Sequence, residues 1–70
     1  MAKISKKQIV EFREQLEKEL RKINERRGTE WFTENDIKSY VWDSPDSVIE
    51  ELIHYKGTPE SYAGVLEMGQ

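Results

Sequence analysis

Seventy residues without a cysteine exclude disulfides and thiolate metal sites, and a single histidine excludes a histidine cluster for zinc. At this length folding buries only about 60% of the chain's surface, so stability has to come from efficient helix packing or from a second subunit. The net charge of −3 hides an uneven division: nine Lys/Arg face five acids from Met1 to Gly28, and two lysines face nine acids from Thr29 to Gln70.

The first part is therefore about +4 and the second about −7, with every aromatic except Phe12 in the acidic part. Charged and apolar residues each make up 36% of the chain, and disordered chains are poor in aromatics, so a single folded domain over 1–70 is expected. The basic start is followed by no apolar run of signal-peptide length, and no stretch approaches the ~18 apolar residues of a membrane span. The expected setting is cytoplasmic, without membrane contact.

Ile9, Phe12, Leu16, Leu20 and Ile23 fall within roughly 80° of arc at 100° per residue, which predicts an amphipathic helix over about 6–27. Ser5 and Gln8 have the spacing of a capping box, with Ile4 and Ile9 placed as a hydrophobic staple. Gly28 is the expected stop, after Arg26 and Arg27 in the last turn. A helix ~33 Å long exceeds what so short a chain would cover comfortably, so either the other segments lie along it or a second copy covers part of its stripe. Glu19 interrupts the heptad, which disfavours a regular coiled coil.

Thr33 and Asp36 form a second capping-box pattern, and Phe32 before the cap is placed to staple to Ile37, predicting a helix over about 34–42. Ser44-Pro45-Asp46 supplies a cap, a proline at the first helical position and an acid in the first turn, predicting a helix over about 45–56 that stops at Gly57. Thr58-Pro59-Glu60 repeats the signal for a last helix over about 59–67. The expected fold is all-α: a small bundle of one long helix and three short ones.

The order Thr33-x-x-Asp36-Ile37, a tight turn, Ser44-x-x-Ser47-Val48-Ile49-x-x-Leu52 and then Lys56-Gly57 resembles the helix-turn-helix core of winged-helix domains over about 25 residues. The turn departs from that pattern, with Trp42 and Asp43 where a glycine and an apolar residue are usual. The resemblance implies a DNA-reading helix, yet that helix presents Asp46, Glu50 and Glu51 where DNA readers carry Arg, Lys, Asn or Gln.

No nucleophile, base and orienting residue assemble from the sequence, and neither Gly28-Thr29 nor Gly57-Thr58 has the form of a phosphate loop. Asp43, Asp46, Glu50 and Glu51 match no calcium-loop spacing. An enzyme is not expected, nor is a cofactor or a metal. The leading expectation is a non-enzymatic protein-binding module, an adaptor, regulator or inhibitor of the kind phages and mobile elements encode, with self-association as a further expectation. Aromatic anchors inside a charged rim are typical of protein interfaces, and Trp42, Asp43, Asp46, Glu50, Glu51 and Trp31 are the candidate contacts. The alternative is nucleic-acid binding, either by a divergent helix-turn-helix or by the basic end of the first helix, where Arg21, Lys22, Arg26 and Arg27 would meet phosphates.

Overall fold

The structure is a computed structural model that describes residues 4–69; the outermost residues of the expected 1–70 domain lie outside it. Helix α1 spans Lys6–Arg27, as its sequence signals predict. The Ser5 hydroxyl accepts the Gln8 N–H at 3.2 Å, and Gln8 Oε1 accepts the Ser5 N–H at 3.0 Å, closing the box. At the other end Gly28 adopts a left-handed φ of 68°. There the N–H of Gly28 reaches Glu25 O and that of Thr29 reaches Asn24 O, each at 3.2 Å, which caps the last carbonyls.

The remaining segments lie along this helix. Ile9, Phe12, Leu16, Leu20 and Ile23 are all buried within one chain, together with Phe32, Ile37, Val41, Ile49 and Ala63. The stripe that suggested a second copy is therefore covered by the chain's own later helices, in a body 42 × 19 × 17 Å.

After α1 the chain turns back at Phe32, whose backbone is gripped on both sides by one side chain. Asn24 Nδ2 donates to Phe32 O and Asn24 Oδ1 accepts the Phe32 N–H, both at 2.8 Å. The Thr33–Asp36 box forms, each partner accepting the other's backbone N–H at 3.1 Å. It opens α2, Glu34–Ile37, which continues without a break into a wider π-helical turn over Lys38–Trp42. The expected helix over 34–42 is thus present, but its last five residues are wound one residue looser, closed by Asp43 N–H to Lys38 O at 2.9 Å.

Helix α3 spans Asp46–His54, shorter at both ends than the expected 45–56. Ser44 is not its cap. Pro45 holds the capping position with no side-chain bond, because the Ser44 hydroxyl is engaged elsewhere, 3.0 Å from Arg13 Nη1. The stop also differs by one residue. Lys56, not Gly57, takes the left-handed conformation, at φ 60°. Gly57 N–H then bonds Leu52 O at 2.8 Å, and a Cβ at Gly57 would lie only 3.0 Å from that same oxygen. A side chain at a left-handed position costs about 1–2 kcal/mol, partly offset by the entropy of a glycine in its place. Lys56→Gly is accordingly expected to raise stability by about 0.5–1 kcal/mol, read as a higher melting temperature by circular dichroism. An unchanged or lower value would contradict the assignment of the cap.

Helix α4, Pro59–Gly69, opens with the Thr58 hydroxyl accepting the Ser61 N–H at 3.0 Å and runs two residues past the expected end at 67. It is laid along the C-terminal half of α1. The fold is all-α, with no strand among the described residues.

Candidate functional site

Three polar clusters join α1 to the later helices. The deepest centres on Arg13, which is 6% exposed although arginine is among the residues least often buried. Its Nη1 donates to Val41 O and to Ser44 Oγ at 3.0 Å; its Nη2 donates to Ser44 O at 2.8 Å and to Asp46 Oδ1 at 2.7 Å. The planar fork thus ties α1 to the end of the π turn, to the α2–α3 linker and to the first turn of α3. Asp46 is partly spent on this bond as well as on the helix N-terminus, which its position alone had explained.

The second cluster holds Trp42. Its indole Nε1 donates to Glu17 Oε1 at 2.8 Å, while Glu17 pairs with Arg21 at 2.9 Å and Arg21 makes a two-pronged contact with Glu34 at 2.8 and 3.0 Å. Trp42 stays 43% exposed, so it is oriented by this bond without being buried. The Trp42 N–H, followed by Arg21, holds the Glu17 carboxyl below its ordinary range, and Arg21 does the same for Glu34.

The third cluster closes the far end. Arg26 Nη2 and Arg27 Nε converge on the Glu67 carboxylate at 2.7 and 2.6 Å. The Arg27 guanidinium lies 3.9 Å over the Trp31 ring, and Trp31 Nε1 donates to Glu67 O at 3.2 Å. Arg27 foremost, with Arg26, pulls the Glu67 carboxyl down.

The four cations considered for phosphates are thus engaged by the chain's own acids: Arg21 by Glu17 and Glu34, Lys22 by Glu19 at 3.3 Å, Arg26 and Arg27 by Glu67. Trp31 is half-buried against the core and is separated from Trp42 by the span from Arg27 back to Glu17, ~15 Å along α1. It does not share a surface patch with Trp42. Asp43, Asp46, Glu50 and Glu51 are all exposed. Glu50 and Asp46 border a groove against Ile4, Lys6 and Ile9, while Glu51 faces away, toward Val48, Leu52 and Tyr55. His54 is exposed and packs edge-to-face on Tyr55, with ring centroids 5.2 Å apart.

Glu17, Glu34 and Glu67 share one sign of pH dependence. A carboxyl held lower in the folded state than in the unfolded chain adds stability above its ordinary value, and that stability is lost as pH falls through the depressed value. The melting temperature is therefore expected to hold near neutrality and to fall once pH drops below 4.5, the ordinary value of these groups. A melting temperature that rises on acidification would contradict these pairings. Glu34 is exposed, and Glu17 and Glu67, though partly covered, pair with arginines that remain open to water, so the fall is shallow.

No helix among the described residues is long and apolar enough to cross a membrane, and no group of three or more His, Cys, Asp or Glu among them is placed to hold a metal ion. Comparison with protein-family models, curated proteins and solved structures found no match for this chain.

Proposed function

We propose that this chain is a small non-enzymatic module that docks on another protein through the acidic, aromatic-bearing side formed by α2 and α3. The observation that carries this reading is the asymmetry of charge use. The cations of α1 that would meet phosphates are engaged in internal ion pairs, whereas Asp43, next to a Trp42 that is held in one orientation and left accessible, and Glu50 and Glu51 on α3 are exposed. An oriented aromatic followed by a helix of exposed carboxylates suits a basic protein surface, and the same carboxylates repel a phosphate backbone.

Fluorescence polarisation with a labelled DNA duplex at low salt separates this reading from its rival. The expected result is no binding at micromolar protein. Affinity that appears at low salt and falls steeply as salt is added would move the function to nucleic acid, because each phosphate contact releases counterions.

A further inference from the structure

Helix α4 is joined to the rest of the chain by one short hinge, residues 55–58, yet it is held by groups that lie before that hinge. Among the described residues α4 packs along α1 and makes no comparable contact with α3, the helix that carries it. Ala63 is buried in the shared core, with Tyr62 and Leu66 half-buried against it. The polar latch points the same way. Glu67 takes Arg26 and Arg27 at 2.7 and 2.6 Å, and its carbonyl accepts the Trp31 indole N–H at 3.2 Å. The α4 of a second copy, brought to the same surface, meets the same groups.

The hinge itself is tight. Lys56 is held at φ 60°, a backbone conformation that costs any residue with a side chain. The turn closes so sharply that a Cβ at Gly57 would stand 3.0 Å from Leu52 O. Opening the hinge gives up the Gly57 N–H to Leu52 O bond and returns Lys56 to an ordinary φ. A short strained hinge, ahead of a terminal helix whose contacts all lie on the far side of it, is the arrangement that permits exchange between copies.

We infer that α4 is exchangeable between two copies of this chain, so that in a dimer each α4 lies on the other copy's α1 with Glu67 between that copy's two arginines. The Arg13 junction and the Trp42–Glu17 bond involve only residues before the hinge and are kept. The dimer therefore carries the α2–α3 side twice, which makes its docking bivalent. The exchange does not depend on what that side binds.

Two full-length charge variants test the exchange. Glu67→Arg sets three cations together, and Arg26→Glu/Arg27→Glu sets three carboxylates together, within one chain and between identical copies alike. Mixed, each α4 finds the opposite charge only on the other variant. After joint refolding from urea, size-exclusion chromatography with light scattering is expected to show a one-to-one heterodimer at twice the monomer mass. Neither variant alone should exceed the dimer fraction of wild type. Should either variant fold poorly by itself, helicity is expected to recover on mixing. Adding Lys56→Gly to both relaxes the closed hinge once in each chain, so the heterodimer's dissociation constant is expected to rise about tenfold. A mixture that stays monomeric or unfolded would overturn the inference. So would a dimer that forms as readily without the charge pairing or is indifferent to Lys56→Gly, since that is a face-to-face contact with α4 in place.

Discussion

Replacing Arg13 by methionine is expected to cost about 3 kcal/mol or more of folding stability. Methionine restores most of the volume but none of the donors. It leaves Val41 O and Ser44 O, which accept from the guanidinium inside the α1–α2–α3 junction, without their charged partner. Each buried acceptor stripped of its donor costs about 1–3 kcal/mol, and Arg13→Met strips two at once. For a chain of this length total stability is of order 4–10 kcal/mol, so the loss is a large fraction of it. Asp46→Asn is the internal control. Asp46 is 57% exposed, water replaces part of the lost bond, and about 1 kcal/mol or less is expected. Urea titration followed by tryptophan fluorescence compares the two. A cost below about 1 kcal/mol for Arg13→Met would show that the junction is held by apolar packing alone.

Phe32→Ala is the second large effect, expected at about 3–5 kcal/mol from lost transfer energy and the cavity left behind. The ring is fully buried and meets Tyr40 edge-to-face with centroids 6.1 Å apart. The site has little freedom to collapse, because Asn24 pins the Phe32 backbone from both sides. At about 4–8 °C per kcal/mol the melting temperature should fall by 12 °C or more. A fall of a few degrees would mean that the α1–α2 turn relaxes into the cavity.

The helices were legible because their ends are local. Ser5/Gln8, Thr33/Asp36 and Thr58 each satisfy their own helix's first N–H groups within four residues, and those bonds form as their spacing predicts. The five residues of the α1 stripe are likewise all buried. What the sequence hid depends on distant partners. Arg13 sits about 40° from Ile9 on the helix wheel, beside Leu20, which marks it as a charge on the apolar face. Its partners, however, lie some thirty residues away, and two of the four are backbone carbonyls, which leave no sequence signature. That same contact turns the Ser44 hydroxyl toward Arg13, which is why an expected cap is missing. The left-handed Lys56 was masked by the glycine after it, and the π turn has no composition of its own. The division of charge was legible as a pattern; which cation meets which acid needed the fold.

Of the candidate contacts, Trp42, Asp43, Asp46, Glu50 and Glu51 lie on the α2–α3 half and are exposed, while Trp31 is built into the Arg27–Glu67 clamp. A protein-binding role draws on that half of the chain, and a nucleic-acid role would require the ion pairs of the α1 cations to be given up. Capture from nuclease-treated source-cell lysate, using tagged wild type, Glu50→Lys/Glu51→Lys and Lys22→Glu/Arg26→Glu at matched helicity, tests that division most directly. The account predicts that a defined protein is retained by wild type, is lost with the α3 reversal, and survives the α1 reversal. Material that disappears with nuclease, or that is lost only when the α1 cations are reversed, would contradict it.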